Sequence, residues 1–242
     1  VNYAGDSDSY MLPELAARII KNALAEQEGD VLVFLPGQGE IKKCEGILKH
    51  SLNGVMIHPL YGQLPPNQQM AAIMPNREGK RKVVLATNIA ETSLTIEGIK
   101  IVIDSGFERV AKFNPNSGLS RLETVQISKD SADQRAGRAG RLSEGTCYRM
   151  WTTATQSRLD EHGIPEIEQA DLSSLVLDMA QWGISDPQQL TWLSSPPKGH
   201  VAKASDLLHE LEALESGKIT SHGKQLHGLP THPRIAQMLV RA

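Results

Sequence analysis

Leu12, Leu15, Ala16, Ile19, Ile20, Ala23 and Leu24 recur at the i, i+3, i+4, i+7 spacing of one helical face, and the pattern stops near Gly29. The wholly apolar run Val31-Leu32-Val33-Phe34-Leu35, closed by Pro36 and Gly37, predicts a strand buried on both faces. Further along, the pattern predicts a helix over 40–49, a strand over 55–58, a short helix after Pro65-Pro66, and strands over 82–86 and 100–104. Strands alternating with helices predict a parallel sheet covered on both faces, with chemistry at the carboxyl ends of its strands. Between 107 and 128 the period changes to two, around the turn Asn114-Pro115-Asn116-Ser117-Gly118, which predicts a projecting β-hairpin. A strand over 146–150 would close the domain.

Beyond Trp151 strand signals fade. Leu172, Leu175, Val176, Met179 and Ala180 form one helical face stopped by Gly183, and Val201, Leu207, Leu208, Leu211 and Leu214 form another. Ile219-Thr220-Ser221-His222-Gly223 reads as a short wing. The expected organisation is an α/β domain over 1–153, a smaller, mainly helical domain over 154–228, and the start of a further helical domain over 229–242.

Composition changes this picture little. With 40% hydrophobic and 22% charged residues, the 242-residue chain has the composition of a globular protein. Cys44 and Cys147 lie far apart, without CxxC spacing, and no HExxH pattern occurs, so no metal site is expected. No apolar run approaches a membrane span, and a soluble, cytoplasmic protein is expected. The chain begins at Val1 rather than Met, so it is expected to be a piece of a longer protein. A net charge of −3 argues against a broad basic surface, so any contact with nucleic acid must be local.

Three stretches carry candidate chemistry. Gly37-Gln38-Gly39 opens a helix after a strand, but Lys42 stands where a GxGxxG dinucleotide loop needs its third glycine. No GxxxxGK[ST] phosphate loop occurs anywhere. Thr87, Asn88, Thr92, Ser93 and Thr95 crowd together after the strand over 82–86; they can hydrogen-bond sugar and phosphate oxygens or serve as caps and turns. In Gln134-Arg135-Ala136-Gly137-Arg138-Ala139-Gly140-Arg141, arginine recurs at every third position despite interior glycines that cost a helix about 1 kcal/mol each. As a helix, this stretch would place Gln134, Arg138 and Arg141 on one face. Guanidinium forks suit phosphate or carboxylate oxygens, so either phosphate binding or a structural arginine–carboxylate network fits the spacing.

Leu35-Pro36-Gly37, Leu60-Tyr61-Gly62-Gln63-Leu64-Pro65, the stretch from Ala86 to Ile96, and the arginine stretch stand in an order that resembles the second RecA-like lobe of DEAH-box RNA helicases. The resemblance implies a RecA-like parallel sheet with a projecting β-hairpin, followed by a small winged-helix domain and the first step into a helical ratchet domain. It implies the C-terminal motor lobe of an ATP-dependent helicase, working against an upstream first lobe that carries the phosphate loop and most of the ligands for magnesium. ATP or another NTP would be the nucleotide, and single-stranded RNA or another nucleic acid the partner; an accessory protein is also possible. Isolated, the piece would hydrolyse nothing.

By the same resemblance, Gln134 would orient the attacking water or the γ-phosphate, and Arg138 and Arg141 would neutralise charge on the transferring phosphoryl group. Ser93 would sense the nucleotide state and Thr95 would lie by the ribose. Glu97 stands where the family usually has Asp, and Ile73 where several members stack an aromatic on adenine. Thr87, Asn88 and Thr92 match positions holding RNA phosphates, Gly37 and Gly62 lie in loops lining the same track, and the hairpin would separate or guide strands, or merely pad the sheet edge. The alternative is a RecA-like module that binds RNA or protein without catalysis.

Overall fold

The computed structural model describes residues 1–5, 11–76, 79–91, 94–139 and 144–242. They divide into two compact units, one of residues 1–110 and 124–163, the other of residues 111–123 and 164–242.

In the first unit, α1 (Leu12–Glu26), β2 (Asp30–Phe34), α2 (Gln38–Lys49), β3 (Met56–Leu60), α3 (Pro66–Ile73), β4 (Lys82–Ala86) and β5 (Ile99–Asp104) follow the predicted alternation, after a short β1 (Asn2–Tyr3). With β8 (Thr146–Arg149) the strands form a six-stranded sheet in the order β1-β8-β5-β2-β4-β3, every neighbouring pair parallel. Strand pleating sorts the apolar run of β2: Val31 and Val33 pack with Leu12, Ala16 and Ile20 of α1, while Leu32 and Phe34 face Val84, Val102 and Ala72 on the other side. Both faces are covered, which is why the run shows no polar alternation.

Two details depart from expectation. The β3 strand runs on through Pro59, which opposes Leu85. Proline is tolerated there because β3 is the sheet's edge and has no neighbour beyond it to receive an N–H. The two-residue β1 gave no signal because it has no apolar run; it is held by pairing of Asn2 with Tyr148 and by Arg149, whose Nη1 donates to Tyr3 Oη at 3.2 Å.

After β5 comes the hairpin of β6 (Phe107–Asn114) and β7 (Leu119–Gln126), its own two-stranded sheet. It leaves the sheet at Gly106, whose φ of +78° favours glycine and where a Cβ would stand 2.8 Å from the Trp151 ring. Next are α4 (Lys129–Ala136), β8 and α5 (Thr153–Arg158).

The second unit holds the hairpin tip, α6 (Ser173–Gln181), α7 (Lys198–Glu210), the small β9–β10 pair (Leu214–Glu215 and Lys218–Ile219), α8 (Ser221–His227) and α9 (Pro233–Arg241). Its core gathers Leu172, Val176, Leu177, Leu208, Leu214 and Leu226. The segment expected as a wing over 219–223 is instead mostly helical, with α8 starting at Ser221. The turn lies at Ser216-Gly217, both at positive φ as a tight hairpin requires, whereas 221–227 is helical because the Thr220 hydroxyl caps it by accepting from Gly223 N at 2.9 Å. Within this unit, Phe113 N of the hairpin tip donates to Gln169 O at 2.8 Å, and the Phe113 ring meets His200 edge-on at 5.3 Å.

Asp171 ties α6 to α9. Its Oδ1 accepts from Ser173 N at 2.8 Å and Ser173 Oγ at 2.5 Å, and its Oδ2 lies 3.2 Å from His232 Nε2. Burial disfavours the charged carboxylate, but the Ser173 and His232 contacts outweigh it and hold Asp171 below its usual 3.8. A depressed acid stabilises the fold above its unfolded pKa, and that contribution is lost as pH falls through the folded value. Melting temperatures measured from about pH 6 to about pH 3 are therefore expected to fall more steeply for wild type than for Asp171→Asn. Parallel curves would show that the carboxylate contributes nothing.

Candidate functional site

Three loops leave the carboxyl ends of the neighbouring strands β2, β4 and β3 together. The first passes through Leu35-Pro36 to Gly37, the N-cap of α2. Gly37 is buried, and a Cβ there would come within 2.8 Å of Arg109 Cζ, so glycine is what lets this arginine of β6 lie against the loop. Arg109 Nη2 also meets Glu40 Oε1 at 3.3 Å. Gln38 Nε2 donates to Tyr61 Oη at 2.9 Å, linking the first loop to the one after β3, where Gly62 is exposed. The third loop begins at Thr87, whose N–H donates to Leu60 O at 3.1 Å, and turns through a 3₁₀ segment, Asn88–Ala90. Asn88 Nδ2 reaches Glu108 Oε2 of β6 at 3.4 Å. Gly37, Gly62, Thr87 and Asn88 thus share the sheet's carboxyl edge; Thr92 and Ser93 lie outside the described residues.

The arginine stretch is not one continuous helix. The α4 helix stops at Ala136, and the chain tightens into i to i+3 bonds, Arg138 N to Arg135 O and Ala139 N to Ala136 O, both 3.1 Å. Gly137 supplies no propensity to continue, and Gly145 packs onto Ala139, where a Cβ would meet Ala139 O at 2.1 Å. Gln134 is exposed on the last turn of α4, so it and Arg138 do not share a helical face; Arg141 lies outside the described residues. Ser128 is the N-cap by position, but its hydroxyl donates to the Asp130 carboxylate and its oxygen accepts no capping bond from a backbone N–H of α4.

Half-buried Arg138 points its guanidinium at the loop after β4. Nη1 donates to Leu94 O at 2.7 Å, and Nη2 donates to Glu91 O. This fork therefore grips the segment that contains the hydroxyl-rich positions 92 and 93.

Arg135, which the spacing left without a role of its own, is the buried hub. It is 1% exposed; Nε meets Glu91 Oε2 at 2.7 Å, Nη1 meets Asp104 Oδ1 at 3.0 Å and Phe107 O at 3.3 Å, and Nη2 lies 3.7 Å from Glu108 Oε2. Its Cζ sits 5.0 Å from the Phe34 ring centroid. Burial pushes the carboxyls of Asp104 and Glu108 up, and Arg135 pulls both back. Three carboxylates on one guanidinium leave the cluster short of positive charge. The structural arginine–carboxylate reading thus holds for Arg135, while Arg138 binds main-chain oxygens. The signal for the hub was Asp104, a lone acid ending the apolar strand Ile101-Val102-Ile103.

The remaining candidates lie elsewhere. Ile73, half-buried, ends α3, and Thr95 and Glu97 are exposed in the segment before β5. Ile73 is tied to Lys82, at the amino end of β4, by its carbonyl, which accepts from Lys82 Nζ at 3.3 Å, and the charge of Glu97 favours the Lys82 ammonium.

An all-parallel α/β domain with hydroxyl, amide and guanidinium groups along its carboxyl edge belongs to the class of proteins that handle nucleotides and other phosphates. More specifically, residues 14–143 match the model of the helicase conserved C-terminal domain, and the chain belongs to that family, with its RecA-like fold. It is 47% identical over 220 residues to the ATP-dependent RNA helicase HrpB of Escherichia coli (strain K12), spanning 90% of this chain and 27% of that protein. It is 41% identical over 227 residues to the probable ATP-dependent RNA helicase DHR2 of Saccharomyces cerevisiae, again 90% of this chain and 31% of that protein. A crystal structure of the Escherichia coli DEAH/RHA helicase HrpB superposes with a TM-score of 0.92 at 43% identity, covering 100% of this chain and 31% of that one. The chain therefore spans less than a third of the length of these relatives.

Proposed function

We propose that this chain is the C-terminal motor lobe of an ATP-dependent RNA helicase of the DEAH-box type. The observation that carries the reading is the fork of Arg138 seated on the carbonyls of Glu91 and Leu94, which ties the arginine segment to the hydroxyl-rich loop. An arginine held at that loop is poised to turn its donors from peptide oxygens to phosphoryl oxygens once a nucleotide is bound. Arg141 is the second charge-neutralising group, Gln134 orients the water or the γ-phosphate, and Ser93 senses the nucleotide state. Thr95 and Glu97 serve the ribose, and Ile73 lies against the base without the stacking an aromatic would give, so discrimination between bases is weak.

On the other track, Gly37, Gly62, Thr87, Asn88 and Thr92 hold the backbone of single-stranded RNA, by hydrogen bonding and without reading bases. Magnesium is held mainly by the upstream lobe. When bound there, it supplies charge neutralisation on the phosphates. The helices after α5 with the β9–β10 turn form a winged-helix domain, α9 opens a ratchet-like domain, and the protein works in the cytoplasm.

A second reading, a RecA-like module that binds RNA or protein without catalysis, draws on the fact that Arg135 and Arg138 both have main-chain or carboxylate partners within the chain. Hydrolysis of ATP by the full-length protein, with and without single-stranded RNA, separates the two. Turnover that rises with RNA is expected; RNA binding without turnover would leave only the module.

A further inference from the structure

Among the described residues Lys82 is the one buried lysine: it is 1% exposed at the start of β4, and its ammonium carries no ion pair there within bonding distance. Nζ instead donates to three consecutive carbonyls, Ala72 O at 3.2 Å, Ile73 O at 3.3 Å and Met74 O at 2.9 Å. All three of its hydrogens are thereby used, on the orphan oxygens at the carboxyl end of α3. A cation belongs there, since it meets the negative end of the helix dipole. The same side chain is anchored at its root, because Lys82 N donates to Asp30 Oδ1 at 2.8 Å. Asp30 in turn backs Gly98, where a Cβ would stand 2.8 Å from Asp30 Oδ2. Glu97 is near enough for its charge to favour the ammonium.

We propose that Lys82 is a positioning residue for the nucleotide site, setting where Ile73 and the 97–98 turn stand by fixing the last turn of α3 and the entry to β5. This rests on the reading of Ile73 and Glu97 as nucleotide-facing. Ile73 is the last residue of an eight-residue helix whose C-cap, Met74, is already extended, with φ −68° and ψ 147°. Helix ends of this kind fray, and the base-facing side chain sits on the fraying residue. The ammonium closes that end from inside the protein. Without it, three carbonyls lose their donor, and the cost of leaving them unmet favours local opening of the turn that carries Ile73. The chemistry at the arginine segment is not touched, so binding and turnover separate.

The test is steady-state hydrolysis of ATP by the full-length protein with saturating RNA, comparing wild type, Lys82→Met, Ile73→Ala and the double variant. Each is assayed well below its own melting temperature. Lys82→Met is expected to raise KM for ATP about tenfold with kcat changed by no more than about twofold, the signature of lost substrate positioning. In the Ile73→Ala background the same substitution is expected to change KM little, because the side chain that it positions is gone. An unchanged KM in Lys82→Met, or an equal rise in both backgrounds, overturns the proposal. Should Lys82→Met fail to fold, Lys82→Gln keeps an N–H donor and is expected to raise KM about threefold, and an unchanged KM there overturns the proposal equally. A wild-type protein that hydrolyses no ATP under RNA would instead overturn the motor-lobe reading, and this proposal with it.

Discussion

Arg135→Ala is expected to destabilise the protein by about 3–5 kcal/mol, the scale measured when one partner of a buried ion pair is removed. The reason is the imbalance at the cluster. Asp104 is 0% exposed and, among the described residues, pairs with no cation other than Arg135, so truncation strands a carboxylate that burial already pushes toward its neutral form. Glu91 and Glu108 lose the same guanidinium, and Phe34 loses the cation over its ring. At a domain size of 150–250 residues this loss corresponds to a fall in melting temperature of roughly 10 °C. Arg135→Lys keeps the charge but not the fork, and a single ammonium cannot reach Glu91, Asp104 and Phe107 O together, so more than half of the loss is expected to remain. Asp104→Asn combined with Arg135→Ala is expected to recover part of it, since the stranded charge is then absent. A melting temperature of Arg135→Ala within about 2 °C of wild type would show that water enters the cluster and that it carries little stability.

The cluster also marks how far the sequence could be read. Alternation of helix and strand was legible because the periods are clean: β2 and β4 are apolar after their first residues, Asp30 and Lys82, and α1 keeps one apolar face. The carboxyl-edge loops were legible for a related reason, since ligands in open α/β sheets lie at the carboxyl ends of the strands and glycine, hydroxyl and amide residues cluster directly after these buried strands. What stayed hidden depends on pairs distant in the chain. Arg135 and Arg138 are indistinguishable by spacing, yet Arg135 turns inward to Asp104, 31 residues away, and Arg138 turns to Leu94, 44 residues away. The end of α4 was hidden as well. Two glycines in a helical pattern lower propensity without saying where the helix stops, and it is the return of the chain at Gly145 onto Ala139 that fixes the point. Nothing in the sequence singles out Lys82, because its three acceptors are main-chain oxygens of α3 and leave no trace in residue types. The resemblance supplied what periodicity could not, the candidate roles of Gln134, Arg138 and Arg141, and the geometry supports a distinction among the arginines that the motif alone did not make.

That distinction sets the largest expected effect. In the full-length protein, Arg138→Ala is expected to lower kcat for RNA-stimulated ATP hydrolysis by about 10³-fold or more, the range typical of an arginine that stabilises a transferring phosphoryl group. Its cost to stability is expected to be smaller than that of Arg135→Ala. Arg138 is half-buried and donates to the main-chain oxygens of Glu91 and Leu94, whereas Arg135 neutralises the fully buried Asp104. Each lost hydrogen bond from a charged donor is worth about 1.5–3 kcal/mol before the loop relaxes toward solvent. The two arginines therefore make opposite patterns: Arg135→Ala melts early and, where still folded, turns over ATP; Arg138→Ala stays folded and does not. Arg138→Lys preserves the positive charge but gives up the fork that spans two oxygens, and is expected to recover no more than about a tenth of the lost rate. Turnover of Arg138→Ala within about tenfold of wild type at a temperature where both are folded would remove this guanidinium from the transition state. Its bonds to Glu91 and Leu94 would then be its whole role, that of a clamp on the loop, and the arginine segment would be structural from Arg135 through Arg138.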